Sequence, residues 1–462
     1  MRTRRRLLLC LSLLGVFGVV TAAAFAATTG WGTAIEVPGT ADLNVNGAQV
    51  SSVSCAKPGF CAAVGEYVEA SGGLGGSGAE QAFVVDETNG TWGTAVEVPG
   101  LKALNVDGDA RVFQVSCPKA GFCAAAGFYR DGEGDGHGFL LNESNGVWGN
   151  ATKVPGVPAY GGGFSVVSSI ACTGVGFCTA VGGYDDYHSY GHAFVVTETN
   201  GVWHKAVKFG RNTELNSISC PTAGSCAAGG SYAGGCPCQA IVVSETKGVW
   251  GKVKVVPGLA ARNNGPGALS TVNSISCPAA GSCAAGGYYT DRHDNERAFV
   301  VSEKNGVWGK AIKVSGAAAL GPGEVYSISC GAAGNCAAGG YYRDGSHGHA
   351  FVVSEKRGVW LKARKVDNLG NSGEVDSVFC TKAGFCAAGG SYVDGSGASQ
   401  AFVANERNGV WHNAIKVPGT AALNLGGAAQ VWSIFCTGIG SCTAGGRYRD
   451  NSGTLQAFVT SP

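Results

Sequence analysis

The chain has 462 residues and a formal net charge of +1; 45% of it is hydrophobic, only 14% is charged, and glycine alone contributes 77 residues. That apolar share excludes a disordered glycine-rich polymer, and the near-neutral charge leaves no electrostatic footprint for nucleic acid. Sparse charge with abundant glycine is the composition of short-stranded, turn-rich all-β proteins.

The first 26 residues read as a signal peptide. Arg2, Arg4, Arg5 and Arg6 form a basic start, a long apolar run follows, and Ala24-Phe25-Ala26 gives a small-x-small cleavage pattern. Cleavage after Ala26 removes four arginines and moves the formal charge from +1 to −3. Uncleaved, the same segment is long enough to anchor the chain in a bilayer, which is the alternative localisation. Cleavage makes the protein secreted, in a compartment that permits disulfides. Cys10 leaves with the leader, and 18 of the 19 cysteines remain.

Residues 27–462 read as repeats. Eight cysteine pairs recur at intervals averaging about 54 residues: Cys55/Cys61, Cys117/Cys123, Cys172/Cys178, Cys220/Cys226, Cys277/Cys283, Cys330/Cys336, Cys380/Cys386 and Cys436/Cys442. The fifth unit shows the pattern most clearly. Val272 to Cys277 alternates serine with apolar residues at period two, as a strand does. Five residues lead to a second strand from Cys283 to Tyr289, and a polar loop leads to a third from Ala298 to Glu303. Asn305-Gly306 is a hairpin signal, after which a fourth strand is expected from Trp308 towards Val314. Four antiparallel strands in about 50 residues make one propeller blade.

The two ends complement each other. Trp31 to Pro38 is a fourth strand without the first three, and Gln456 to Val459 is a third strand without a fourth. Joined, they complete the last unit. The expected fold is therefore all-β, a single eight-bladed β-propeller whose N-terminal strand closes the last blade and removes the exposed sheet edges.

Many residues recur once per unit. A tyrosine column runs from Tyr67 to Tyr448, a glycine stands two residues before each of these, and a tryptophan column runs from Trp31 to Trp411. Chemistry needed once is not repeated eight times, so these columns read as packing. The cysteine pairs read as eight local disulfides across the first turn of each unit, since zinc pairs have shorter spacing. Cys236-Pro237-Cys238 breaks the pattern. It reads as a structural bridge, with a redox or metal site as the other reading.

Acidic residues Glu69, Asp131, Asp186, Asp291, Asp344, Asp394 and Asp450 sit in the loop after the second strand. Asp131-Gly132-Glu133-Gly134-Asp135 resembles the start of a calcium loop without its distal glutamate, and Asp-Gly is also ordinary turn chemistry. His137, His192 and His349 share a column with Gln81, Gln239, Arg297, Gln400 and Gln456, so that column reads as a polar position and no metal is expected. No cofactor or catalytic motif is legible.

One column inside a strand is the least uniform. Four residues before each first cysteine stand Ser51, Phe113, Ser168, Asn216, Asn273, Tyr326, Asp376 and Trp432. On the innermost strand this column should ring the channel mouth. Phe113, Asn216, Asn273, Tyr326, Asp376 and Trp432 are the candidate ligand-binding residues, with solvated-rim variation as the competing reading.

The repeat, with SISCPAAGSCAAGGYY followed by AFVVSEKNGVW, resembles the exported Cys-pair β-propeller repeats of actinobacterial and related bacterial proteins. The resemblance spans essentially the whole mature chain and implies a fold and export rather than an activity. Sialidase-like Asp-box propellers are distantly similar, but Ser302 to Trp308 is one residue shorter than their motif and lacks its Asp. Quinone-dependent dehydrogenases use eight blades and an Ala-to-Trp docking motif. Ala298 to Trp308 has that length, with its Gly displaced and its Asp missing. The expected function is an exported, non-catalytic, monomeric scaffold presenting a binding face to an extracellular protein or carbohydrate. An extracellular enzyme with its site at the channel mouth is the alternative.

Overall fold

Period-two patterning turns each repeat into one twisted sheet. In the computed structural model there are eight such sheets, one per cysteine pair. They are numbered blades 1 to 8 from the Cys55/Cys61 pair to the Cys436/Cys442 pair. The structure describes residues 30–70, 78–157, 163–234, 238–265, 267–316, 321–370 and 372–462. The leader and Cys236 lie outside the described residues, and with Cys236 so does the bridge expected between Cys236 and Cys238.

Blade 5 shows the plan. Its strands are Ser270–Ala279, Ser282–Thr290 and Glu296–Lys304, running from the axis outwards. Asn305 and Gly306 both take positive φ (51° and 76°), as the tight turn requires. The expected fourth strand is two short pieces, Val307–Trp308 and Ile312–Lys313, both paired with the third strand. The ladder slips by one residue between them: Glu303 faces Trp308, but Val300 faces Ile312. The tryptophan accounts for the break. Its ring is buried, and its Nε1–H donates to Ser244 Oγ of the preceding blade at 3.2 Å. Equivalent bonds run from Trp148 to Asp86 (2.9 Å), Trp360 to Ser302 (2.9 Å) and Trp411 to Ser354 (3.0 Å).

Closure follows the complementary ends. Ile35–Glu36 pairs antiparallel with Leu455–Thr460, opposite Val459 and Phe458, as the outermost strand of blade 8. Trp31 is almost wholly buried there, in the core shared with blade 7. The eight innermost strands pack side by side into a ring, which closes where Gln430–Gly438 meets Ala48–Lys57. Each inner strand ladders only with the second strand of its own blade, and the closed ring covers its other edge with the neighbouring blade.

The SISC serines hold the ring together. Ser52 and Ser54 of blade 1 accept from the Val115 and Cys117 amides of blade 2 at 3.3 and 3.0 Å. Ser274 and Ser276 do the same for Ile328 and Cys330, and Ser327 and Ser329 for Val378 and Cys380. Ser433 of blade 8 accepts from the Val53 amide at 3.0 Å, so the last interface is bonded like the others. These amides lie on the open edge of an inner strand, where no ladder partner exists and an unmet donor would be costly. What reads in the sequence as strand alternation is therefore also the inter-blade fastening.

All eight cysteine pairs form disulfides across the first hairpin: Cys55–Cys61, Cys117–Cys123, Cys172–Cys178, Cys220–Cys226, Cys277–Cys283, Cys330–Cys336, Cys380–Cys386 and Cys436–Cys442. Their Cα atoms are 3.9–4.1 Å apart. The staples are local, as expected, and some of them also meet the preceding blade. Cys61, Cys226 and Cys336 are only 6%, 4% and 4% exposed, because the preceding blade covers them. Thr443 Oγ1 of blade 8 donates to Cys61 Sγ at 3.6 Å, and Thr179 Oγ1 of blade 3 lies 3.9 Å from Cys226 Sγ. At the matching position of blade 5, Ala284 shares the core cluster of Cys336. Neighbouring inner hairpins converge around the ring, so each of these three sulfurs closes its own hairpin and also fills the gap between blades.

Most of the tyrosine column is buried, but Tyr232 is 38% exposed and is the exception to the packing expected of it.

Candidate functional site

The variable column occupies a β-bulge. In blade 1, Val50 faces Gly65 and Ser52 faces Val64, leaving Ser51 without a partner in the ladder. The same register shift leaves Phe113, Ser168, Asn216, Asn273, Tyr326, Asp376 and Trp432 unpaired in the ladders of blades 2 to 8. A bulge residue escapes the strict in-out alternation of a ladder, which explains how this column varies while its neighbours do not.

The glycine column is the other half of the device. The bulge presses the carbonyl two residues before it against the second strand. A Cβ at Gly65 would stand 1.9 Å from Gln49 O, and at Gly340 1.9 Å from Glu324 O; the other blades give 1.9–2.0 Å. The glycine is required for space, and the crowding atom belongs to the same blade.

All eight bulge residues are half-buried, and several lean onto the next blade. Asn216 donates to Val272 O at 3.1 Å and Asn273 to Val325 O at 2.9 Å. Asp376 accepts from Gln430 Nε2 at 3.0 Å. Phe113 stacks on Phe128 (centroids 5.8 Å apart), Tyr326 packs against Tyr341 at 5.3 Å, and the Arg447 guanidinium covers Trp432 at 5.3 Å. The cysteines take no part in this surface. Cys61, Cys226 and Cys336, like the other paired cysteines, sit beside the first hairpin turn at the far end of the strands.

Two further columns complete this surface and were not singled out in the sequence. The residue two before each bulge pairs with the residue before each repeated tyrosine. These pairs include Gln49 with Glu66, Arg111 with Phe128, Thr271 with Tyr288, Glu324 with Tyr341, Glu374 with Ser391, and Gln430 with Arg447. The missed signal was the same one: these columns do not repeat either.

Polar contacts join members of the three columns into two groups. Gln430 Nε2 bridges Glu374 Oε1 (3.2 Å) and Asp376 Oδ2 (3.0 Å). Arg447 reaches Gln49 Oε1 at 3.3 Å, and Gln49 donates to Glu66 Oε1 at 2.8 Å. Tyr341 Oη lies 3.3 Å from Glu296 Oε2 and 3.4 Å from Glu324 Oε1. Burial pushes Glu66 up to about 7 against the field of Arg111. Burial, helped by the Glu296 charge, lifts Glu324 to about 7. Asp376 is raised well above the carboxylate range by burial and by its neighbour Glu374. Near neutral pH these columns can therefore offer both donors and acceptors beside half-buried rings.

Comparison with known proteins supports the architecture alone. No family model matches the chain, and no curated protein matches it. Among solved structures, Sqt1 from Chaetomium thermophilum is similar with a TM-score of 0.51 and 11% identity, over 92% of this chain and 97% of that one. A polysaccharide lyase of family PL25 gives 0.46 and 8%, over 90% and 94%. A Hadza microbial sialidase, Hz136, gives 0.41 and 11%, over 72% and 68%.

In five blades the acidic loop residue proves to be turn chemistry. Asp394 Oδ1 accepts the Ser396 and Ala398 amides at 2.9 and 3.2 Å, and Oδ2 accepts from Gln400 at 2.8 Å. Bonds from Ser396 and Gln400 hold its carboxyl down at about 2. Asp131, Asp186, Asp291 and Asp450 repeat the plan with His137, His192, Arg297 and Gln456. Five members of the His/Gln/Arg column, His137, His192, Arg297, Gln400 and Gln456, thus pair with the aspartate six residues earlier, whereas Gln81 bonds Glu69. Carboxylate oxygens of Asp131, Glu133 and Asp135 lie within 4.8 Å of one another. Asp131 is already engaged through both oxygens, by the Glu133 and Asp135 amides and by His137.

Proposed function

We propose that the chain is an exported, non-catalytic propeller that presents its channel mouth to an extracellular protein or glycan. One observation carries this reading: almost every column repeats around the ring, and the columns that do not repeat converge on one surface. Rigid strands carry that surface, so its side chains are preorganised, and aromatic faces beside buried polar groups suit such ligands. Phe113, Asn216, Asn273, Tyr326, Asp376 and Trp432 are the proposed contacts, joined by Glu66, Arg111, Glu324 and Arg447. Export fits the eight disulfides, which persist in oxidising compartments. No helix among the described residues is long and apolar enough to cross a membrane.

A glycan array probed with the purified protein, with and without calcium, tests the reading. Saturable binding that the Phe113/Tyr326/Trp432 triple alanine variant loses supports a glycan-binding mouth. No glycan binding turns the search to protein partners. Binding that the triple variant retains removes the mouth from consideration.

The second reading is a hydrolase, and the Glu374–Asp376 pair favours it. Two neighbouring carboxyls held above their ordinary range beside Arg447 can divide acid and base roles. Turnover of any array ligand, abolished by Asp376→Asn with binding retained, would select it.

A further inference from the structure

A second column of carboxylates lies near the hairpin turns at the opposite ends of the strands. Glu87, Glu143, Glu198, Glu245, Glu303, Glu355 and Glu406 close the third strand of blades 1 to 7, and each is at least 92% buried. A buried carboxylate needs donors; for Glu198, Glu303, Glu355 and Glu406 the preceding blade supplies one, whereas Glu245 Oε2 is buried without a partner. Ser244 Oγ donates to Glu303 Oε1 at 3.0 Å, Ser302 to Glu355 at 2.7 Å and Ser354 to Glu406 at 2.8 Å. At the interface of blades 2 and 3, Asn142 donates to Glu198.

The interface of blades 1 and 2 breaks the rule. Where those blades carry a serine or an asparagine, blade 1 carries Asp86. Asp86 Oδ2 accepts Trp148 Nε1–H at 2.9 Å and, as an ionised acceptor, has nothing to give Glu143. One Glu143 oxygen takes the Cys123 amide. Its Oε2 is buried without a partner, in a side chain only 5% exposed. Both carboxyls border a cleft of about 380 Å³, which Phe60, Phe122 and Asn145 also line. Lys119, the one basic residue at its border, is held over the Phe122 ring at 5.0 Å.

We propose that this cleft binds a divalent cation of the calcium class between the carboxylates of Asp86 and Glu143. Glu143 Oε2, buried without a donor on the cleft it shares with the Asp86 carboxylate, calls for positive charge beside it. A hard cation with oxygen ligands supplies it, and the cleft has room for the waters that complete its shell. The cation would tie blade 1 to blade 2 where the interfaces of blades 2 and 3 and of blades 4 to 7 use an amide or a hydroxyl. Burial raises Asp86 to about 6 and, with the Asp86 charge adding to it, Glu143 to about 7, which is consistent with a site built to be neutralised.

Terbium titration of the full-length, disulfide-intact protein tests this, because Trp148 donates directly to Asp86 and can sensitise a lanthanide held there. The expected result is saturable tryptophan-excited emission that calcium displaces. Asp86→Ser installs the residue blades 4 to 6 already carry, and with Glu143→Gln it should lower the emission at least tenfold. Asp131→Asn, in the acidic loop, should leave it unchanged. As a second measurement, calcium should raise the melting temperature of the parent protein but not of Asp86→Ser. Absent emission, or emission and calcium response equal in parent and Glu143→Gln, overturns the proposal and leaves a shared proton as the neutralising charge.

Discussion

Replacing Gly340 by alanine asks whether the bulge that displays the variable column is built as described. The new Cβ would stand 1.9 Å from Glu324 O and 2.9 Å from Glu324 C, both backbone atoms that no rotamer change can move aside. Relaxed carbon contacts need about 3.5 Å, so the two strands must part by more than about 1 Å. Overpacking of that order costs about 3 kcal/mol. With an unfolding entropy of about 2 cal/mol/K per residue, a ring of this size unfolding as one unit would melt about 3 °C lower. Gly348 in the same blade is the control. Its Cβ would meet nothing nearer than Ser372 Oγ at 3.5 Å, so Gly348→Ala should leave the melting temperature within about 1 °C. Differential scanning calorimetry of the oxidised protein compares them. Because the bulge carries Tyr326, Gly340→Ala should also weaken any ligand bound at the mouth. Equal melting temperatures for the two variants would refute the account of the glycine column.

The serine fastening predicts a two-sided result. Ser54→Ala strands the Cys117 amide and should cost about 1–2 kcal/mol. Ala171→Ser, at the same position of blade 3, should gain up to about 1 kcal/mol by offering the Cys220 amide an acceptor; equal stabilities in denaturant unfolding would dismiss the fastening. The carboxyl pair predicts a pH dependence. Asp86 and Glu143 both sit above their unfolded values of 3.8 and 4.5. Their contribution is therefore fully present below about pH 4 and is lost as pH rises through 6 to 7. In chelator, stability should fall by about 2 kcal/mol between pH 5 and pH 8, after discounting for solvent in the open cleft. Asp86→Ser should flatten that slope, and an unchanged slope would show that the pair does not titrate in this range.

Repetition is what made the architecture legible in one sequence. Eight spaced cysteine pairs, the Asn-Gly turns and the complementary ends at Trp31 and Val459 specify blade number, strand order and closure, because each is a local pattern with one geometric solution. Local patterns also identified the Phe113-to-Trp432 column as one that varies, but not the two columns beside it. What they could not supply was its reason. A bulge is a register relation between two strands, visible only when Val50 faces Gly65 and Ser52 faces Val64. The same holds for the tasks of the SISC serines, the His/Gln/Arg column and the buried glutamates, whose partners sit in a neighbouring blade or across a loop. The disulfides divide the same way: the six-residue spacing specifies the Cys61, Cys226 and Cys336 bonds, but their cover by the preceding blade belongs to the ring. Asp86 looks like one more polar residue in its strand. Only the packing of blade 1 against blade 2 sets it before Glu143, because side-chain contacts between blades depend on the angle at which whole sheets meet.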